Sequence, residues 1–254
     1  MEKETIHLEK RLVELSNIAY TREIITFSDF LNLNELNILH TLPKSSLYAK
    51  YYAFGGYAQS ERQMVAFFHD ALYLRVGEIK FPFGLLEVVP ASGRYHRILN
   101  HRDYLGSILS LGISRGKIGD ILTIDQKAYI YCHDSIMNFL HEELRRVGNV
   151  PVTSAVVSLD DFSYTPQTET LQGSISSERL DSIIALAFKL SRSSMSGLID
   201  KGKVFVNSRL VLSNSYILKE DDVISVRGKG KFKYGGILKK TKKGRLFVGL
   251  EKYL

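Results

Sequence analysis

Cysteine is almost missing from this chain, and its single copy, Cys132, rules out an intrachain disulfide and any cysteine-rich zinc site. Cys132 closes the run Ala128-Tyr129-Ile130-Tyr131-Cys132, which reads as a strand, so a buried thiol is expected. No stretch approaches the ~20 apolar residues that a bilayer-spanning helix requires. The opening Met1-Glu2-Lys3-Glu4-Thr5 lacks the basic-then-apolar layout of a secretory signal, and a reduced, cytoplasmic setting without membrane insertion is expected. Gly55-Gly56 lacks the lysine and spacing of a phosphate loop. His69-Asp70 and Asp160-Asp161 have no partners at metal-ligand spacing and read as turns or strand ends. No metal or cofactor is therefore expected. Long repeats and low-complexity runs are also absent.

What remains is an ordinary globular composition with an unusual distribution of charge. Apolar residues make up 44% and charged residues 24%, which argues against global disorder. A chain of 254 residues can form one large domain or two or three small ones. The net charge is +7 and the isoelectric point near 9.3, which favours an acidic partner. Residues 174–254 carry 17 Lys+Arg against 7 Asp+Glu, whereas residues 1–173 carry 17 against 20. The positive charge is thus local, as in a nucleic-acid-binding module joined to something else.

The stretch Ser174 to Gly230 organises that module. Ser177 followed by Glu178, Arg179, Leu180 and Asp181 reads as a helix start, and Leu180, Ile183, Ile184, Ala187 and Phe188 form an apolar helical stripe. Ser191 is placed to cap a second helix carrying Met195, Leu198 and Ile199, which Gly202 stops. Lys203 to Val206, the turn Asn207-Ser208, Arg209 to Val211 and Val223 to Arg227 complete a small sheet. Arg179, Lys189, Arg192, Lys201, Lys203, Arg209, Arg227 and Lys229 fall at helix ends, turns and strand edges, where they can face outward together as a phosphate-binding surface. Ser191 and Asn207 join them as hydrogen-bond donors. From Arg227 to Arg245 there are nine Lys or Arg and no acid, with Lys231 and Lys233 alternating with Phe232 and Tyr234. A basic hairpin with a turn at Thr241-Lys242-Lys243-Gly244 is expected, either for RNA backbone contact or for protection of a sheet edge.

The rest of the chain reads as two further segments. Residues 1–70 suggest a small helical region. Its first helix carries Leu12, Leu15 and Ile18, and its second is capped by Ser28-Asp29, carries Phe30 to Leu39 and ends at Pro43. Tyr51 to Tyr57 reads as an aromatic loop around Gly55-Gly56, open between a stacking platform and a plug in a seam between domains. Over residues 71–165 the order is β-α-β-β-α-β, the split ferredoxin-like pattern shared by RNA-recognition domains and many others. The basic-glycine-aromatic signature of RNA recognition is absent, although Tyr129 and Tyr131 share one strand face. Two basic glycine-bearing loops, Ala91 to Arg97 and Ser114 to Asp120, are open between phosphate contacts and simple solvation.

Arg179-Leu180-Asp181, Ser191-Arg192, Leu198 to Asn207 and Asp222 to Gly230 together resemble the small RNA-binding domain named after ribosomal small-subunit protein four, here the S-four domain. With the Gly-Gly-Tyr loop, Glu61-Arg62, His101 to Leu109 and Arg115 to Asp120, nearly the whole chain resembles the YlmH family of bacterial proteins. The resemblance implies an α+β architecture. It comprises a small helical N-terminal region (1–70), a ferredoxin-like, RNA-recognition-like βαββαβ middle domain (71–165), and an αα-β S-four domain with a basic hairpin tail (174–254). The family is linked with cell-division gene clusters. Its module is similar to those of RqcP and heat-shock protein fifteen, which bind large ribosomal subunits blocked by peptidyl-tRNA. The implied partners are large-subunit ribosomal RNA, with tRNA and cell-division proteins as further candidates. The implied role is ribosome-associated quality control or rescue of stalled complexes, without catalysis. Two alternatives stand beside it. One is an RNA-modifying enzyme of the pseudouridine-synthase kind, for which Asp103 is the nearest look-alike to the catalytic aspartate although it also reads as a helix cap. The other is a division-associated protein scaffold. Cys132-His133-Asp134 has the letters of a catalytic triad, but adjacent side chains point apart.

Overall fold

Two periodicities build the first part of the chain. The computed structural model describes residues 2–91, 98–241 and 244–254, which divide into two units, 1–164 and 165–254. In the first unit α1 (Glu2–Arg22) buries Leu12, Leu15 and Ala19, which recur along one helical face. A short β1 (Thr26–Phe27) precedes α2 (Leu33–Thr41). The expected cap of α2, Ser28-Asp29, is displaced to Asn32. The Asn32 side chain accepts from the amides of Asn34 and Glu35, and Glu35 accepts from the Asn32 amide at 2.7 Å, closing a capping box. Ser28 instead pins the chain to a strand, its Oγ accepting from the Val65 amide at 2.9 Å.

The aromatic segment after α2 is a strand rather than a loop. β2 (Lys50–Phe54) and β3 (Met64–Phe68) join β1 in an antiparallel sheet of order β1-β3-β2. Alternation sends Tyr51 toward Phe67 (6.1 Å between centroids) and Tyr52 toward Phe81 (6.2 Å), so the aromatics are spent on two faces of packing. β3 is buried throughout: Val65 and Phe67 pack with Leu12, Leu15, Leu36 and Leu39, and Ala66 and Phe68 pack with Ile79. The region expected to be helical is therefore mixed.

β4 (Phe83–Pro90), α3 (His101–Ser110), β5 (Ile118–Ile124), β6 (Lys127–His133), α4 (Asp134–Glu143), β7 (Arg146–Val147) and β8 (Val150–Val157) follow. Their sheet has the order β5-β6-β4-β8-β7 with every neighbouring pair antiparallel. Apart from the short β7 this is the split βαββαβ arrangement that the pattern of elements implies. The helix expected to run to Val147 stops at Glu143, because Arg146–Val147 turns back through Gly148 (φ +57°) to pair with Pro151 and Val150. Inward-facing Leu86, Val88, Ile130 and Cys132 meet Tyr104 and Ile108 of α3 and Met137 and Leu140 of α4 in one core.

The opposite face of that sheet is roofed. Phe83, Leu85 and Tyr131 pack with Phe30 and Met64, and Tyr57 stacks on Tyr131 at 5.8 Å. The loop carrying Tyr57 hangs from one carboxylate. Asp120 accepts from the Tyr57 hydroxyl (2.8 Å), the Glu61 amide (2.8 Å) and the Arg62 amide (3.1 Å). The buried Arg62 guanidinium then donates to the carbonyls of Ile118 (2.8 Å) and Phe30 (2.7 Å). Burial, and secondarily the positive charge of Arg62, lowers the Arg115 pKa to about 10, and Arg115 too is occupied with the Ile118 carbonyl. Gly56 sits at φ +101° directly over the Tyr131 ring, where a Cβ would run into the ring.

In the second unit the elements are β9 (Thr168–Ile175), α5 (Leu180–Phe188), α6 (Arg192–Asp200), β10 (Val204–Val206), β11 (Arg209–Leu210), β12 (Val223–Val226), β13 (Gly230–Lys240) and β14 (Leu246–Tyr253). They form a sheet of order β11-β10-β12-β13-β14-β9. Val204, Val206, Ile224, Val226, Phe232, Tyr234, Val248 and Leu250 bury one face under Leu180, Ile183, Ile184, Ala187, Met195 and Ile199 of the two helices. β9, unassigned from sequence, pairs with all of β14 from Leu246 to Tyr253.

Gly56→Ala is expected to destabilise the first unit by about 2–4 kcal/mol, combining backbone strain with overpacking. Asp120→Ala, which orphans two loop amides and a buried hydroxyl, is expected to fall in the same range of about 2–4 kcal/mol. Urea unfolding followed by circular dichroism checks both, and parental midpoints would contradict the role given to this loop.

Candidate nucleic-acid interface

Sheet register decides where the cations of the second unit gather. Val204 pairs with Val226, and Val226 with Gly230, so the residues just outside these strands, Lys203, Arg227 and Lys229, share one end of the sheet. The Arg227 amide donates to the Lys203 carbonyl at 2.9 Å, and the Lys229 amide closes a turn onto the Val226 carbonyl at 3.0 Å around Gly228 (φ +76°). Helix α5 ends at the same place. Its Phe188 ring lies 5.8 Å from Phe232 and beside Gly230, and Lys189 caps it in the left-handed conformation at φ 53°. Helix α6 ends beside it too, with Lys201 exposed and the Lys203 amide donating to the Leu198 carbonyl at 3.0 Å.

Lys189, Lys201, Lys203 and Lys229 are all exposed, and none has a carboxylate within salt-bridge reach among the described residues. Arg227 stands among them with its guanidinium 5.7 Å from the centroid of the fully buried Phe205 ring, a cation–π contact that orients the side chain. A set of like charges on rigid helix and strand ends repels itself weakly in water and attracts a polyanion.

The other expected site residues are committed within the protein or lie elsewhere. Arg179 precedes α5 and forms a two-pronged pair with Asp181, through Nε at 3.2 Å and Nη2 at 3.0 Å. Burial alone would push the Asp181 carboxyl up, but hydrogen bonds from Arg179 and Ser182 outweigh it and hold its pKa below the usual carboxylate value. Asn207, at φ 48°, donates to Asp222 at 2.8 Å and accepts from the Val223 amide at 2.9 Å, fixing the β10–β11 turn to the start of β12. Lys233 is paired with Asp221 at 2.7 Å. Lys231 lies on the sheet face away from the helices, its Nζ 5.4 Å from the centroid of Tyr253. Arg209 is exposed on β11, at the opposite end of β10 from Lys203. The Ser191 carbonyl accepts from the Met195 amide at 3.2 Å, which places Ser191 at the start of α6. Arg192 is the first residue of α6, and its side chain lies outside the description. The same holds for Lys242 and Lys243 of the hairpin turn and for Ser92 to Arg97 of the first basic loop.

The α5 start also differs from expectation. Arg179, not Ser177, is the N-cap and supplies no side-chain cap. The first amides are satisfied from afar: Leu180 donates to the Tyr216 carbonyl at 2.8 Å and Asp181 to the Asn214 carbonyl at 3.3 Å. No local motif announces such a cap.

Among the described residues, the candidates that the sequence singles out around the βαββαβ sheet of the first unit are already engaged. Tyr131 is buried, and Tyr129 packs at a tilt against Phe162, 4.5 Å between centroids, and donates to Glu87 at 2.8 Å. Lys117 of the second basic loop pairs with Asp29 at 2.7 Å. Burial, and secondarily Asp134, pushes the Cys132 thiol pKa up to about 12, and its Sγ contacts Met137 at 3.6 Å. His133 faces the other way and accepts from the Ser135 amide at 3.0 Å, so Cys132-His133-Asp134 does not converge. Asp103 is the third residue of α3 and closes a capping box by accepting from the Asn100 amide at 2.9 Å. Among the described residues no cluster of His, Cys, Asp or Glu could hold a metal ion, and no helix is long and apolar enough to cross a membrane.

The contrast between committed and outward-facing groups has a direct consequence. Asn207→Ala is expected to cost the second unit about 1–3 kcal/mol by leaving Asp222 and the Val223 amide short of partners. Lys203→Ala is expected to change stability by less than about 0.5 kcal/mol. Chemical unfolding checks both, and equal losses would contradict the division.

Residues 80–161 match the family described as the putative RNA-binding domain in YlmH, and residues 178–224 match the S4 domain. The "Ribosome-associated protein quality control protein P2" of Bacillus subtilis (strain 168) is 27% identical over 241 residues, covering 94% of this chain and 92% of that protein. A solved structure, the "Cell division protein ylmH from Streptococcus pneumoniae", aligns with a TM-score of 0.49 at 20% identity, over 63% of this chain and 93% of its own. The chain therefore carries a YlmH-type putative RNA-binding domain followed by an S4 domain, and in this it resembles the YlmH family of RNA-binding proteins.

Proposed function

We propose that this protein is a non-enzymatic, cytoplasmic RNA-binding protein that grips structured ribosomal RNA on the large ribosomal subunit. It acts in ribosome-associated quality control, where subunits blocked by peptidyl-tRNA bring tRNA within its reach. The observation that carries the proposal is the group of four exposed lysines, Lys189, Lys201, Lys203 and Lys229, without carboxylate partners among the described residues, at the end of the S4 unit. The relative from Bacillus subtilis, named for ribosome-associated quality control, supports the ribosomal setting.

The mechanism is electrostatic grip by a rigid body. Each lysine that meets a phosphate releases condensed counterions, so affinity falls steeply with salt. Helix ends and strand ends hold the charges at fixed spacing, which suits the regular phosphates of folded RNA better than a flexible single strand. Arg227 joins this grip directly. Arg179, Arg192, Arg209 and Lys231 serve as further contacts, as do Lys233, Ser191 and Asn207 where the RNA wraps beyond the sheet end. The two-pronged pair with Asp181 leaves Nη1 of Arg179 available to a phosphate while fixing the plane of the guanidinium. The buried, high-pKa Cys132 and the capping role of Asp103 fit a binding protein better than a catalyst.

Sucrose-gradient sedimentation of cell extract tests the proposal. The protein is expected to travel with large subunits, more so when nascent chains are stalled. The variant carrying Lys201→Glu, Lys203→Glu, Arg227→Glu and Lys229→Glu is expected to remain at the top of the gradient. In purified binding assays, Lys203→Ala should lower the log–log salt slope by about one unit. A charge-reversed protein that still sediments with the subunits would contradict the proposal.

A further inference from the structure

His69-Asp70, which read from sequence as a turn, borders a cleft of about 400 Å³ in the first unit. That volume lies within the range of small-ligand sites. Tyr20 from the end of α1 and His69 form its aromatic wall, their centroids 4.6 Å apart, and Tyr48 adds a second tyrosine 6.4 Å from Tyr20. Tyr20 is 47% and Tyr48 54% exposed, so both rings keep a large part of their surface open to solvent although each is held in a ring cluster. The backbone beneath is fixed, since the amides of Tyr48 and Ala49 both donate to the buried Ser16 hydroxyl at 2.9 Å. His69 Nδ1 accepts from the Ala71 amide at 2.9 Å, which leaves the proton of the neutral ring on Nε2 as a donor. Lys50 and Asp70 stand at the rim as an exposed pair 3.0 Å apart, a contact weak enough to be exchanged for a ligand.

We propose that this cleft holds one unstacked nucleobase of the bound RNA, making the N-terminal part of the chain a second nucleic-acid contact. The inference rests on the RNA-binding reading above. A base stacks on Tyr20 or Tyr48, its edge meets the His69 Nε2 proton and the Asp70 carboxylate, and Lys50 turns from Asp70 to the adjoining phosphate. Exposed aromatic rings on which a base can stack, beside a cation, are the combination that holds unpaired nucleotides. An apolar side chain from a protein partner would leave His69, Lys50 and Asp70 without a role.

Ultraviolet cross-linking of the full-length protein to ribosomal particles, followed by mass spectrometry of its peptides, tests this site. Nucleotide adducts are expected on Tyr20, Tyr48 or His69 in addition to the S4 unit. Adducts confined to the S4 unit would overturn the cleft and leave the ribosomal reading intact, whereas no adducts and no co-sedimentation would overturn both. A ribosomal-protein peptide joined to Tyr20 or Tyr48 in place of a nucleotide would also overturn it. In binding assays the double variant Tyr20→Ala/Tyr48→Ala is expected to lose about five- to a hundredfold in affinity, while Tyr20→Phe/Tyr48→Phe stays within about threefold. Parental affinity in a folded alanine variant would sink the proposal.

Discussion

A charged side chain is either answered inside its own protein or turned toward something else, and the S4 unit separates these two fates by position. Carboxylates answer side-chain donors at one end of its sheet and beside its first helix: Asp181 holds the cation of Arg179, Asp221 that of Lys233, and Asp222 the neutral side-chain amide of Asn207. At the other end the strands stop at Val204, Val226 and Gly230, and Lys189, Lys201, Lys203 and Lys229 extend past them without such partners among the described residues. Nothing in the fold requires lysine there. Turns and helix ends tolerate many polar residues, so the like charge at that end is open to a partner and adds little to the protein's own stability.

The first unit solves a different problem. A four-stranded split βαββαβ sheet with helices on one side exposes its other side unless something covers it. Asp120 provides the anchor for that cover. One carboxylate collects the Tyr57 hydroxyl and two loop amides, and the loop lays Gly56 and Tyr57 over Tyr131. The face that RNA-recognition domains use for stacking is thereby spent on packing. The aromatic surface left to solvent in this unit includes the Tyr20, Tyr48 and His69 cluster, well apart in sequence from the elements that carry the sheet.

Much of this was legible in the residues. The order of strands and helices over residues 83–157 followed from the apolar stripes of the two helices and from short apolar runs between them, although the strands are buried on both faces. The two helices and the short strands of the S4 unit followed from their stripes and from Asn207-Ser208 and Gly202. What escaped reading has a common physical cause, namely partners distant in sequence. The α5 amides are capped by the carbonyls of Asn214 and Tyr216. β9 is polar and exposed, and is a strand only because β14 pairs with it. Tyr51–Phe54 looked like a loop because its aromatics serve two faces at once. Composition likewise identified the cations as a group but gave no sign of which were already paired. Lys233 and Lys229 look alike in sequence, and only the register of β12 against β13, with Asp221 at its far end, distinguishes them.

The central claim is that the lysines at the Gly230 end of the S4 sheet lie against RNA phosphates when the protein is bound. Lysine acetylation footprinting by mass spectrometry, with and without saturating large ribosomal subunits, reads this residue by residue. The account requires strong protection of Lys189, Lys201, Lys203 and Lys229 on binding, with Lys219 at the acidic turn modified as before. Equal modification of those four lysines in the free and bound protein would contradict it.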